Sequence, residues 1–194
     1  QLDLMDKAEL RKQINDAWKE AYYQLGRNQN SPLSDDEFLR AHWIIYFQYS
    51  RKKGDDYIKF LLNKFSAKNI FDKQIIAIEE EVVETVDAEN EIDDDDMPQP
   101  TETEIVTTIS KLQPGEIAAY VNSLKDVAKY WFYTCFPELS DLTHDEKVWL
   151  DRLNRIGIGY FRPLITASLT PNANTTPEER INLFRAIERF IFLS

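Results

Sequence analysis

The stretch PGEIAAYVNSLKDVAKYWFYTCFP, residues 114–137, decides the fold class. Ile117, Tyr120, Val121, Leu124, Ala128, Trp131 and Cys135 recur at i, i+3, i+4, i+7, i+11, i+14 and i+18. That spacing puts them on one continuous stripe of an α-helix. Pro137 stops the helix, because its ring removes an amide donor and crowds the preceding turn.

The same rhythm extends outward in both directions. Toward the N-terminus, Leu10, Ile14, Ala17, Trp18, Ala21 and Leu25 predict one helical face over about 7–25, with Gly26 placed to end it. Ser34-Asp35-Asp36-Glu37 reads as a capping box ahead of an apolar helix running from Phe38 to Tyr49. Tyr57 to Phe65 predicts a shorter amphipathic helix. Toward the C-terminus, Thr143 and Glu146 form a second capping box before Trp149, Leu153 and Ile156, and Gly157 closes that helix. Pro163 suits the first turn of the next helix, and Thr176-Pro177-Glu178-Glu179 opens the last, whose stripe is Ile181, Phe184, Ile187 and Ile191. With only five glycines, the expectation is an all-α bundle of about seven helices.

One region breaks the rhythm. Gln74 to Val86 is rich in β-branched residues and reads as either helix or strand, Asp93 to Pro100 reads as loop, and Ile105 to Ile109 has strand composition. A short β-hairpin flanking an acidic loop is therefore an alternative here. The expected organisation is an N-terminal helical part (1–73), an acidic insertion (74–110) and a C-terminal helical part (111–194), together one domain.

That insertion dominates the charge. The chain of 194 residues has 34 acidic and 23 basic side chains and a formal net charge of −11. Between Lys73 and Lys111 there is no Lys or Arg but there are 13 acids, which leaves 21 acids against 23 bases elsewhere. The acidic balance thus describes one segment, and it does not exclude a nucleic-acid partner for the rest. Two basic sets are the candidate contacts for DNA or a protein partner: Arg51, Lys52 and Lys53, and Arg152, Arg155 and Arg162. Both are equally well explained as charges compensating helix C-termini and as solvated faces. The acidic run reads as a solvated insertion, or as a phosphate mimic occupying a basic groove; it lacks the alternating spacing of an EF-hand loop.

Catalytic signatures are absent. His42, Cys135 and His144 are scattered, with no C-x-x-C or H-x-x-x-H pair to hold zinc. No glycine-rich phosphate loop or G-x-S-x-G elbow occurs. His42 is expected in a buried aromatic helix, His144 in a first helical turn, and Cys135 packed as a small hydrophobe. The 24 aromatic residues fall mostly at core-facing spacing, so packing is expected of them before base stacking. A lone cysteine fits a reducing, cytoplasmic setting, and no apolar run is long enough to span a membrane. The start has no signal-peptide pattern and no methionine at position 1, so the chain is expected to be a piece of a longer one.

Several stretches are more particular than composition. Ile14-Asn15-Asp16-Ala17-Trp18-Lys19 precedes Phe38-Leu39-Arg40-Ala41-His42-Trp43 and Tyr49-Ser50-Arg51. Tyr120 to Lys125, Trp149 to Leu153, Arg162 to Ala167 and Glu188 to Phe192 follow in order. Over about 8–66 and 112–194 this ordered set resembles the helical region of the GmrSD-type, ParB/sulfiredoxin-like family of bacterial proteins. The resemblance implies a parent protein, a nucleotide-dependent nuclease, that defends against foreign and often modified DNA. It implies an N-terminal catalytic domain marked by D-G-Q-Q-R and, in many members, a terminal H-N-H nuclease module. Neither motif is in this chain, so no catalytic residue and no cofactor carries over. The expected role is a non-catalytic helical scaffold whose partners are the catalytic domains of the same parent chain. DNA binding through the basic helix ends, modulated by the acidic insertion, is the competing expectation.

Overall fold

The computed structural model describes residues 2–47, 56–79 and 104–193, with side chains over 8–47, 56–72 and 110–193. Eight α-helices and two strands are present among them: α1 (Leu2–Gly26), α2 (Asp35–Tyr46), α3 (Tyr57–Lys64), α4 (Ala67–Phe71), β1 (Lys73–Glu79), β2 (Glu104–Ser110), α5 (Pro114–Cys135), α6 (His144–Ile156), α7 (Arg162–Leu169) and α8 (Pro177–Leu193). The fold is an all-α bundle with a small strand pair, and the chain forms two compact units, 1–61 with 114–194, and 62–113.

In the larger unit α1 lies along α5, the most extensive helix pair, while α7 and α2 also pack on α5 and α6 packs on α8. The buried edge of α1 is Ala17, Ala21 and Leu25. The two alanines allow close approach of the helices, and Trp18, expected inside, stays 41% exposed, edge-on to Tyr22 with ring centroids 5.1 Å apart. Helix α5 is buried well beyond its sequence stripe, at Ala118, Val127, Phe132, Tyr133 and Thr134 as well, because neighbours cover more than one of its faces. Ile117 and Cys135, at its two ends, are half-buried. Completely enclosed side chains such as Leu124, Phe132, Leu150, Leu153, Ile158, Ile165 and Phe184 each contribute about 1.5–3 kcal/mol of transfer free energy.

The caps fix where these helices start and stop. Ser34 Oγ accepts from the Glu37 amide at 3.4 Å, which opens α2. At α6 both bonds of the capping box are made, and Gly157 ends the helix at φ +85°, a left-handed conformation that suits glycine. At α8 the Thr176 amide donates to Glu179 and the Glu179 amide donates back to Thr176 Oγ1.

The smaller unit carries α4 and the strand pair. Asn69 Nδ2 donates to the carbonyls of Asn63 and Lys64 at 2.7 and 3.0 Å, satisfying chain-end carbonyls of the preceding helix. The β-branched run left open between helix and strand is strand over Lys73–Glu79, antiparallel to β2, with Lys73 opposite Ser110 and Glu79 opposite Glu104. The acidic stretch 80–103, including the expected loop from Asp93 to Pro100, lies outside the described residues.

One polar side chain ties α6 to α8. Glu146, 1% exposed, accepts from the Thr143 amide (2.9 Å) and hydroxyl (2.6 Å) through one oxygen and from Arg180 Nε (2.6 Å) through the other. Arg180 also donates to the Thr175 carbonyl, so the cap of α6, the first turn of α8 and the segment before α8 are joined at one point. Burial works to raise the Glu146 pKa, but the Thr143 and Arg180 hydrogen bonds outweigh it and hold the carboxyl below its ordinary 4.5. Its folded pKa being depressed, the stabilisation is complete at neutral pH and is lost as pH falls below about 4.5 and through the folded value. Glu146→Gln should lower the unfolding free energy by about 3 kcal/mol, because the half-buried Arg180 guanidinium loses its anionic partner. Glu146→Leu combined with Arg180→Met should recover most of that loss in urea titrations. An additive double variant would show that the pair is not coupled.

Candidate functional site

Pro163 fixes the backbone at the start of α7 and makes Arg162 the first helical residue, beside the C-terminus of α5. There Arg162 Nη1 donates to the Thr134 carbonyl at 2.9 Å and approaches Cys135 Sγ at 3.3 Å, while its guanidinium lies 5.8 Å from the Trp131 ring centroid. Asn154 Nδ2, from α6, donates to the same carbonyl at 2.9 Å. Two donors therefore satisfy a helix-end carbonyl that α5 cannot satisfy itself. Arg162 is a cap for α5 and is half-buried.

Arg152 and Arg155 lie on α6. Arg152 holds Glu188 of α8 through two nitrogens, Nη2 at 3.0 Å, and stacks 5.0 Å from the Trp149 ring centroid. Arg155 pairs with Asp151 one turn earlier at 2.7 Å. The three arginines thus already hold partners in their own chain, and a phosphate would compete with two carboxylates and a helix-end carbonyl. The other basic set, Arg51, Lys52 and Lys53, lies outside the described residues.

The remaining candidates have structural settings. His144 is exposed in the first turn of α6. Burial pushes the Cys135 thiol up, more than Arg162 and Thr134 draw it down, so it is not poised as a thiolate. Among the described residues no group of three or more His, Cys, Asp or Glu side chains could hold a metal ion. His42 is fully enclosed, as its aromatic helix suggests, with ring centroids of Tyr120 and Tyr46 at 5.1 and 5.5 Å. Its Nε2 lies 3.0 Å from Ser123 Oγ on α5, and Nδ1 has no partner among the described residues. The neutral ring is best served with its proton on Nε2, donated to Ser123, because a buried unpaired N–H costs more than an unpaired lone pair.

Two residues on α8 escaped the sequence reading. Arg185 sits 5.6 Å from the Trp149 ring centroid, so that indole carries two guanidinium neighbours, and Arg189 lies one turn farther on. The signal was in the sequence: Asn182, Arg185, Ala186, Arg189, Phe190 and Leu193 recur at i, i+3, i+4, i+7, i+8 and i+11. The stripe of Ile181, Phe184, Ile187 and Ile191 on the opposite side is the stronger apolar signal. No family model, no curated protein and no solved structure matches the chain.

Burial lowers the His42 pKa from 6.5 to about 3. The folded pKa lies below the unfolded one, so the stability is whole above about pH 6.5 and declines as pH falls toward 3. The slope is about 1.4 kcal/mol per pH unit inside that window. Glu146 begins to contribute only below its ordinary 4.5, so pH 6.5 to 5 isolates the histidine. Urea titrations should show a loss of about 2 kcal/mol over that interval in the wild type and a flat profile in His42→Phe. An equal slope in both would assign the acid sensitivity to another group.

Proposed function

We propose that this chain is a non-catalytic helical scaffold and interaction region of a GmrSD-type, nucleotide-dependent DNA restriction protein. In that reading it connects and positions the catalytic domains of the same parent chain, in the cytoplasm, and carries no chemistry of its own. The reading rests on the sequence resemblance over about 8–66 and 112–194. The observation that supports it is that two sets of buried and half-buried polar side chains, Glu146 with Arg180 and Asn154 with Arg162, join helices to one another. A scaffold needs such joints, because a rigid spacer between two catalytic parts must keep its helices in register under load.

DNA binding by the basic helix ends is the less favoured reading, since Arg152 and Arg155 are already neutralised by Glu188 and Asp151. Fluorescence anisotropy with a duplex oligonucleotide separates the two. The scaffold reading predicts no binding at about 50 mM salt by the intact chain or by a variant lacking residues 80–103. Binding that tightens after that deletion, falls steeply with salt and weakens in Arg152→Glu/Arg155→Glu would replace it with the DNA-binding reading.

A further inference from the structure

The outward face of α8 is open to solvent among the described residues. Phe184 and Ile187 turn into the core, whereas Asn182, Arg185, Ala186, Arg189, Phe190 and Leu193 share the other side. The apolar residues there are open to solvent, Leu193 being 80% exposed, and they line a shallow groove with the two arginines. The surface continues onto the start of α7: the Phe190 ring meets Phe161 edge-on at 5.6 Å, and Phe161 meets Tyr160, itself 90% exposed. Scattered exposed apolar residues are ordinary, but a contiguous aromatic and aliphatic patch marks an interaction site.

Its unpaired charge is positive. Among the described residues Arg185 bonds only to Asn182 Oδ1 and the Trp149 ring, and Arg189 has no ion-pair partner. One carboxylate, Glu188, also lines the groove, and it is paired with Arg152. A second copy of this face would bring arginines against arginines, so self-association through it is disfavoured. A nucleic acid would use the arginines and the Phe190 and Tyr160 rings but would gain nothing from Leu193 and Ala186, which an apolar helix face also covers.

We infer that the α8 face is the docking surface for an acidic amphipathic helix of a partner protein. The face runs for 12 residues, about 18 Å or three turns, which matches the i, i+4, i+7, i+11 anchors of a short helix. Ala186, near its middle, lets a second helix come close, with ridges of one set between ridges of the other. Glutamates flanking the partner's apolar stripe meet Arg185 and Arg189, which lie at i and i+4 along one edge. The inference concerns a surface of this chain and stands whether or not the scaffold reading holds.

The test uses the whole chain and two synthetic 18-residue helices with leucines at i, i+4, i+7 and i+11, one flanked by glutamates and one by lysines. By fluorescence anisotropy the glutamate helix should bind at least about tenfold more tightly than its lysine twin, and Arg185→Glu/Arg189→Glu should reverse the order. Leu193→Asp should weaken both helices, and the exposed positions should leave the circular dichroism and melting temperature of each variant unchanged. Absence of binding, equal affinity for the twins, or insensitivity to the charge reversal would overturn the inference. So would tighter, arginine-dependent binding of a single-stranded oligonucleotide or of phosphatidylserine vesicles, or an arginine-dependent dimer in sedimentation.

Discussion

The carbonyl oxygen of Thr134 is where three helices of the larger unit meet. It lies at the last turn of α5, where the intrahelical donors have run out, and the surrounding helices exclude water from Thr134 itself. Asn154 from α6 and Arg162 from α7 supply the two missing donors, each at 2.9 Å. Because α5 also packs on α1, α2 and α7, the position of its C-terminus sets the positions of those neighbours. The Glu146–Arg180 pair then repeats the device between α6 and α8. In both places a group that would be costly to bury alone is buried with its partner, and the partner belongs to another helix.

Much of this was legible in the sequence, for local reasons. Capping is a property of four consecutive residues, so Thr143 with Glu146 and Thr176 with Glu179 could be read directly. Gly157 was legible because only a left-handed residue closes α6 there. The full burial of α5 was not, since a single stripe says nothing of how many neighbours share the helix. Trp18 was misjudged for a related reason: periodicity places it beside Ala17 and Ala21, but small residues at the contact leave a large one at its margin. The β-branched run at 73–79 stayed open because strand pairing depends on a partner, Glu104–Ser110, a long way down the chain.

The site candidates fared differently. Arg162 was singled out for its charge, whereas its setting depends on its distance from a carbonyl 28 residues earlier, which no local pattern encodes. Arg152 and Arg155 were read as a basic cluster, yet each stands beside a carboxylate on its own or a neighbouring helix. Charge counts along a sequence register neither relation. The reverse holds for Arg185 and Arg189, ordinary in a charge count and distinctive only on the open face of α8.

The central claim is that a few polar side chains, Arg162 foremost, are joints between the helices of this bundle. The most direct measurement is the unfolding free energy of Arg162→Met by urea denaturation at neutral pH. Methionine preserves much of the apolar stem and removes the donor, leaving the Thr134 carbonyl with Asn154 alone. A loss of about 1–3 kcal/mol, without change in the m-value, is the expected result for an under-satisfied buried carbonyl. A stability within about 0.5 kcal/mol of the wild type, the range of an ordinary surface substitution, would contradict the account.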